Sequence, residues 1–333
     1  MALRVDVVCR NAQDDRIIPR MARALAQLPG WRLLAAPDPK TKADAVYLSA
    51  YFEAQRMRSR PDWGPAVPGA VPVAAYFTHK EEDPPGNDKA KLFDRAAKQV
   101  QLRVATCRMY AQMLEAYGPT IQAAAPLERE RFRPPSHPSP ASRGGRIVVG
   151  LSGFTYPNAR KGEDLVRGVV ESKVGRSVEW RASGRGWPVP TKKYSWEQMP
   201  AFYQGLDVLV CPSRVEGIPM PPLEALACGV SVVVPEHVGI FDELPKVAGI
   251  HRYKRGDLKS LVQALGKAVE ARSHVDREAL QGATAPYSVG SWCRDVAAGM
   301  EMLVTGGERV DGGLEEETAK AVTTNPTTNE DAE

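Results

Sequence analysis

Two carboxylates eight positions apart, Glu216 and Glu224, lie in the segment VLVCPSRVEGIPMPPLEALACGVSVVVPEHVGIFDELP, which runs from Val208 to Pro245. The apolar run Val208–Cys211 predicts a buried strand, followed by a loop containing Gly217 and Pro219. A helix then opens at Pro221-Pro222, where proline is tolerated because first-turn N–H groups have no acceptor inside the helix. This puts Glu216 in the loop and Glu224 two residues into the helix. A helix N-terminus behind a glycine-bearing loop at a strand's carboxyl end is an anion site, since free N–H groups and the helix dipole both face the crevice. Carboxylates beside it accept hydrogen bonds from hydroxyls, so the set suits a ligand with phosphates and hydroxyls together, such as a sugar nucleotide. The pair also has a plainer reading, in which Glu216 is a solvated loop residue and Glu224 only complements the helix dipole.

The elements that must position these residues alternate between short β-like runs and helical stretches, a pattern that argues for parallel sheets with crossover helices. Strands are expected at Leu3–Cys9, Trp31–Ala36, Ala45–Ser49, Val71–Thr78, Gln101–Cys107 and Thr120–Ala124, with helices at Arg16–Leu28, Asp88–Lys98 and Met109–Tyr117. These make one α/β domain over residues 1–126. The next stretch, 127–145, carries charge and proline but no apolar periodicity and is expected to be a linker. Alternation resumes over 146–287, with strands at Arg146–Leu151, Val178–Ala182, Val208–Cys211, Ser231–Val234 and Ile250–Tyr253 and helices at Glu163–Glu171, Trp196–Gly205, Pro222–Cys228 and Leu258–Ala271. Trp292, Val296, Met300 and Leu303 form one stripe of a last helix, about 288–304. Residues 305–333, rich in Gly, Thr and acid, cannot repay the entropy of ordering and are expected to be disordered.

A chain of 333 residues, 25% charged and 43% hydrophobic, is of ordinary globular composition and of a size that usually splits into two domains. Collagen, coiled coil and wholesale disorder are excluded. Apolar runs such as Val230–Val234, broken by Ser231, are far too short to span a bilayer, so no transmembrane segment is expected. The N-terminus lacks the features of a secretion signal, which makes the cytoplasm the expected compartment. Five scattered cysteines and five scattered histidines show no disulfide, C-x-x-C or i, i+4 pattern, so the cysteines are expected to be buried thiols and no metal site is expected. Residues 1–304 carry 42 Lys and Arg against 32 Asp and Glu, whereas 305–333 is acidic. A basic body suits a phosphate-bearing ligand or partner, or simply an Arg-rich solvated surface. No G-x-G-x-x-G, G-x-x-x-x-G-K-[ST] or G-x-S-x-G motif occurs, which leaves dehydrogenase, P-loop and hydrolase chemistries without support.

The residues from Glu216 onward fall at the offsets of a known signature. Glu216-Gly217-x-Pro219, then Glu224-Ala225-x-Ala227-x-Gly229-Val230-x-Val232-Val233, resembles the Glu-Gly-x-Pro…Glu-Ala-x-Ala-x-Gly-x-Pro-Val-Val pattern of family 4 (group 1) glycosyltransferases. The approach Tyr203-x-x-x-Asp207-Val208-x-Val210-x-Pro212-Ser213, the Phe132-Arg133-Pro134 element and the Gly184-Arg185-Gly186 turn resemble the same family. The resemblance covers roughly residues 1–304 at decreasing specificity. It implies the GT-B fold: two Rossmann-like, doubly wound α/β domains facing a cleft, with the C-terminal helix returning to the N-terminal domain.

The resemblance also implies roles, carried position by position. Glu224 would hold the donor ribose and Glu216 the hydroxyls of the transferred sugar. Gly217, Ile218 and Met220, on either side of Pro219, would offer backbone N–H groups to sugar and diphosphate. Gly153, Gly184 and Ser213 complete the expected donor site. The family neutralises the leaving diphosphate with Gly-Arg-x-x-x-x-Lys-Gly; here the segment is Gly153-Phe-Thr-Tyr-Pro-Asn-Ala-Arg160-Lys161-Gly162. Lys161-Gly162 matches and Phe154 stands where the Arg is expected, so Arg160 is expected to take over that charge. Ordinary helix-entry charge is the alternative for both cations. His79 ends the strand VPVAAYFTHKEED and would face the donor sugar, or be a loop residue.

The expected activity is transfer of a sugar from a nucleotide sugar, UDP- or GDP-linked, to an acceptor hydroxyl, with retention and with no metal or other cofactor. A saccharide or small glycoconjugate is the expected acceptor. The basic stretches around Arg56, Arg58, Arg60 and Arg129, Arg131, Arg133 also permit hydroxymethylated DNA. A non-catalytic nucleotide-sugar-binding GT-B module and a plain nucleic-acid binder are the competing classes. Oligomeric state is left open.

Overall fold

The computed structural model describes residues 2–56, 71–82, 86–135 and 146–306. Arg58, Arg60, Asp83, residues 136–145 of the expected linker and the acidic tail from 307 lie outside the described residues, as does the side chain of Arg56. The chain divides into two compact units. One comprises Met1–Thr106, Tyr110–Pro126 and the chain from Val289 on; the other comprises Cys107–Met109 and Leu127–Ser288.

In the first unit β1 (Val5–Val8), α1 (Ile17–Leu25), β2 (Trp31–Leu34), β3 (Ala45–Leu48), α2 (Phe52–Arg56), β4 (Val73–Phe77), α3 (Asp88–Gln99), β5 (Leu102–Ala105), α4 (Arg108–Glu115) and β6 (Thr120–Gln122) follow one another. The strands form one six-stranded parallel sheet in the order β2-β1-β3-β4-β5-β6. β1, β3 and β5 are buried along their whole length, as expected of central parallel strands covered on both faces. Asp6, within β1, is the polar exception: its register partner Arg32 and the Thr41 hydroxyl both donate to its carboxylate, which offsets the cost of burying the charge. The start of α3 is fixed by Asn87, whose side chain accepts from the N–H groups of Lys89 and Ala90.

The second unit runs β7 (Val148–Phe154), α5 (Glu163–Glu171), α6 (Lys173–Ser177), β8 (Glu179–Arg185), β9 (Thr191–Lys192), α7 (Met199–Gln204), β10 (Val208–Val210), α8 (Met220–Ala227), β11 (Ser231–Pro235), β12 (Ile250–Tyr253), α9 (Leu258–Ala271) and α10 (Arg277–Gly282). Its sheet is again parallel, in the order β12-β11-β10-β7-β8-β9. Its core gathers the alternate strand residues Val149, Leu151, Trp180, Val208 and Val210, packed under Val166 of α5 and Leu261 of α9. The described part of the expected linker is packed rather than free. Leu127 bridges to Ser288, and Phe132 is fully buried edge-to-face against Trp196 at 5.2 Å.

α11 (Val289–Thr305) belongs to the first unit, although it follows the second in sequence. The expected stripe docks it: Trp292, Val296 and Met300 are buried, and Trp292 meets Tyr76 edge-to-face with ring centroids 5.1 Å apart. Truncating a buried Trp of this kind costs about 3–5 kcal/mol. At Gly299 an added Cβ would lie 2.3 Å from the Ile121 side chain, so that turn sits directly on the sheet. The helix includes Thr305, so order continues one residue into the stretch expected to be disordered. All five cysteines are free and buried, as expected of unpaired thiols.

Candidate functional site

In the second sheet the chain begins at β7, adds β8 and β9 on one side, and then crosses to add β10, β11 and β12 on the other. Adjacent strands β7 and β10 therefore send their crossovers in opposite directions, which opens a crevice at their carboxyl ends. The loops that border it are 155–162, after β7, and 211–219, after β10. They carry most of the residues singled out in the sequence.

Their approach is set by one glycine. Gly162 has φ +74°, and a Cβ there would sit 2.1 Å from the carbonyl oxygen of Pro212, so only glycine lets the two loops pack. Arg214 ties them further: its backbone N–H donates to Arg160 O (2.8 Å) and its Nη1 to Ala159 O (2.7 Å). The same guanidinium grips Asp164 in the first turn of α5 through two bonds of 2.7 and 2.6 Å. Arg214 thereby holds the Asp164 carboxyl below the usual range. Ala159 lies in the left-handed region at φ +52°, a conformation that costs a non-glycine residue free energy and that these bonds maintain.

With the loops fixed, three charges meet. The Lys161 ammonium pairs with Glu216 Oε1, and Arg160 Nη1 lies 3.8 Å from Glu216 Oε2 while donating to Val215 O at 3.1 Å. The Arg160 guanidinium also stacks 4.5 Å above the ring of Tyr156. Glu216, Arg160 and Lys161 have side-chain exposures of 8%, 9% and 17%, so neither the solvated-loop reading of Glu216 nor the surface-charge reading of the cations describes them. A charge cluster this dry is an arrangement in which electrostatics are strong.

Glu224 is buried in α8 and accepts a 2.6 Å hydrogen bond at Oε2 from the Tyr203 hydroxyl, which also lies 3.2 Å from Ser152 Oγ. Burial first, and then the charge of Glu224, push the Tyr203 phenol well above its usual range, so it remains a donor to the carboxylate at all ordinary pH values. The helix N-terminus differs from the expectation in one respect. α8 starts at Met220, and Pro219, Pro221 and Pro222 have no N–H, so the first turn contributes the Met220 N–H alone. The loop supplies the rest: among the described residues the N–H groups of Gly217, Ile218 and Met220 have no protein acceptor. Gly217 is oriented by its carbonyl, which accepts from Ile240 N at 2.9 Å.

Gly153 and Gly184 are register partners near the carboxyl ends of β7 and β8, at φ +115° and +113°. A Cβ on Gly184 would lie 2.1 Å from Gly153 O, whereas one on Gly153 would meet nothing within 4 Å. Ser213 is 2% exposed and lies against Cys211 Sγ at 3.7 Å. Burial raises the Cys211 thiol to about 11, so it is no nucleophile. His79, half-buried, follows β4 at the carboxyl edge of the other unit's sheet, away from the cluster in sequence and in unit. The structure thus brings together Gly153, Arg160, Lys161, Gly184, Ser213, Glu216, Gly217, Ile218, Pro219, Met220 and Glu224 in one unit. Sequence reasoning assigned no role to Tyr203 or Arg214. Tyr203 carried a signal in the approach motif, whereas Arg214 becomes visible only through the loop it ties down.

Residues 190–277 match the family model for glycosyl transferases group 1, a stretch that contains Ser213, Glu216 and Glu224. The lipopolysaccharide core biosynthesis mannosyltransferase LpsB of Rhizobium meliloti (strain 1021) is 32% identical over 113 residues, 32% of each chain. The lipopolysaccharide 1,6-galactosyltransferase of Escherichia coli (strain K12) is 29% identical over 103 residues, 31% of this chain and 28% of that protein. These matches span about a third of the curated relatives' length. The solved structures match across nearly the whole chain: sucrose-phosphate synthase from Thermosynechococcus elongatus has a TM-score of 0.71 at 11% identity, covering 92% of this chain and 100% of that one. Anabaena Alr3699/HepE in complex with UDP and glucose gives 0.70 at 11% identity, with 90% and 100% covered. The lipopolysaccharide outer core galactosyltransferase WaaB gives 0.64 at 11% identity, with 92% and 100% covered. The two parallel six-stranded sheets are the two Rossmann-like halves of the GT-B fold.

Proposed function

We propose that this chain, which carries the group 1 glycosyltransferase segment, transfers a sugar from a nucleotide-sugar donor to an acceptor hydroxyl. The observation that carries the reading is the Lys161–Glu216–Arg160 cluster at the β7/β10 switch point, next to three N–H groups without acceptors and to Glu224. In this proposal Glu224, held by Tyr203, accepts from the donor ribose, and Glu216 accepts from hydroxyls of the transferred sugar. Lys161, Arg160 and the N–H groups of Gly217, Ile218 and Met220 stabilise the diphosphate as it departs. The bond from the anomeric carbon to the diphosphate oxygen breaks. The acceptor oxygen bonds to that carbon from the same face, giving retention, and its proton passes to a donor phosphate oxygen. No metal is assigned a part in these steps, and His79 is a proposed contributor to the transfer.

A UDP- or GDP-sugar is the proposed donor, and a saccharide or glycoconjugate the proposed acceptor, in keeping with the lipopolysaccharide sugars named for both curated relatives. No helix among the described residues is long and apolar enough to cross a membrane. The test is release of nucleoside diphosphate from UDP-, GDP- and ADP-sugars by the full chain and by Glu224→Ala, with a saccharide acceptor or with hydroxymethylated duplex DNA. Release from one donor, lost in the variant, supports the transferase, and the acceptor that accelerates it identifies the acceptor class. A folded chain that releases nothing with either acceptor sinks the reading in favour of a binding module.

A further inference from the structure

The charge around the crevice does not yet match the ligand proposed for it. A nucleoside diphosphate esterified to a sugar carries two negative charges, and a third develops as the glycosidic bond breaks. Against this stand Arg160 and Lys161, but Glu216 is paired to both, so the three side chains together present a single positive charge. Arg160 has in addition given an Nη1 donor to Val215 O. The side-chain charge described so far therefore falls short of the ligand's.

The neighbouring strand holds a cation of the right kind. Arg185, the last residue of β8, is the register partner of Phe154, the last residue of β7. Its guanidinium carbon lies 5.5 Å over the centroid of the Phe154 ring, so the charge sits beside the last residue of β7, the strand that borders the crevice. Among the described residues it has no carboxylate or carbonyl partner. Phe154 is 47% exposed, among the largest exposures of any big apolar side chain described. That ring area is otherwise unexplained, and as a seat for a guanidinium it has a function: stacking fixes a long side chain while leaving its in-plane N–H groups free to point outward. Gly153, which precedes Phe154 in β7, leaves open space where any other residue would place a Cβ.

We propose that Arg185, seated on the ring of Phe154, binds the diphosphate of the donor and supplies the charge that Glu216 withdraws from Arg160 and Lys161. The inference rests on the donor site proposed above and deepens it. Phe154, at the position where the family pattern has a cation, becomes the support for a cation delivered from the adjacent strand. A guanidinium fork engages phosphate oxygens through two parallel bonds, a geometry that a lysine at this place would not reproduce.

The experiment measures binding of UDP, GDP and ADP, and of the corresponding nucleosides, to the full chain by calorimetry. Arg185→Gln is expected to weaken the bound nucleoside diphosphate by about 10- to 100-fold, the loss of a charge-assisted pair, and to leave the affinity for the nucleoside unchanged. The double variant Phe154→Arg/Arg185→Gln is expected to regain most of that loss, because the partnered positions let either strand deliver the guanidinium. Because Arg185 is exposed, the variant should melt with the wild type. Unchanged diphosphate affinity in Arg185→Gln, or equal losses for nucleoside and diphosphate, overturns the assignment while leaving the proposed function standing. Wild-type protein that binds none of the three diphosphates overturns both.

Discussion

Substituting Gly162 by alanine tests whether the two crevice loops are held by a contact that only glycine allows. Two penalties add at this position. The left-handed backbone, φ +74°, costs a residue with a Cβ about 1–2 kcal/mol. The new methyl would also lie 2.1 Å from Pro212 O. That is about 1.3 Å or more inside ordinary contact, an overpacking that typically costs about 1–3 kcal/mol more. Gly256 provides an internal control: its φ is +77°, nearly the same, but a Cβ there meets nothing within 4 Å. Gly256→Ala therefore incurs the conformational cost alone. In urea denaturation, the stability of Gly162→Ala should fall below that of Gly256→Ala by about 1–3 kcal/mol. The functional effect should be larger still, because the loop relieves the clash by moving away from Pro212 and carries Lys161 off Glu216. A misplacement of about 1 Å lowers turnover by about a hundredfold, so nucleoside diphosphate release should collapse in Gly162→Ala and persist in Gly256→Ala. Equal destabilisation of the two variants would refute the close approach, and normal turnover in Gly162→Ala would refute the claim that it positions the lysine.

Tyr203→Phe removes the hydroxyl that satisfies the buried Glu224 carboxylate and should cost about 1–3 kcal/mol in thermal or urea melts; it should also raise the KM for the nucleotide sugar more than it lowers kcat, and a variant with wild-type stability would mean the hydrogen bond is dispensable. Arg214→Gln should free the loop that carries Arg160 and Lys161, lowering turnover, with partial recovery on adding Ala159→Gly, which removes the left-handed strain the arginine opposes; no recovery would separate Arg214 from that strain. His251 has its Nε2 buried without a hydrogen bond, and burial, followed by the charge of Lys267, pulls its protonation below the usual histidine value. Since the unfolded chain protonates first, stability is intact above about pH 6.5 and declines as pH falls through the interval down to the depressed folded value. His251→Gln should flatten the fall in urea-melt stability between pH 7 and pH 5 relative to wild type, and identical slopes would show that this imidazole does not titrate as described.

How far the sequence carries the reader differs between the fold and the site. Parallel strands buried on both faces are near-continuous apolar runs, so β1, β3, β10 and β11 could be read with their ends misplaced by a residue or two. The helices α5 and α9 could be read end to end, since each pairs an amphipathic stripe with a marked start: Gly162 before one, and the capping Asp257 before the other. Short elements such as α2, α6 and α10, five or six residues long, offer too few turns for a periodic signal, and tertiary contacts decide them. At the site, Glu216, Glu224 and Lys161 were legible because their neighbours in sequence are also their neighbours in space.

Arg214 and Arg185 act across distances the sequence does not display. Arg214 reaches back 50 positions to Asp164, and Arg185 reaches its partner Phe154 only through strand register. The one departure that the sequence shows, an aromatic where a cation is expected, points along the chain to Arg160 in the same loop. Because Glu216 draws on Arg160 as well as Lys161, the proposed Arg185 adds to the charge of that loop rather than replacing it. A loop residue can be replaced by any residue whose side chain arrives at the same point, and in a parallel sheet the register partner on the next strand starts only about 5 Å away. Compensation at the carboxyl edge of such a sheet should thus be sought first along the register and only then along the chain.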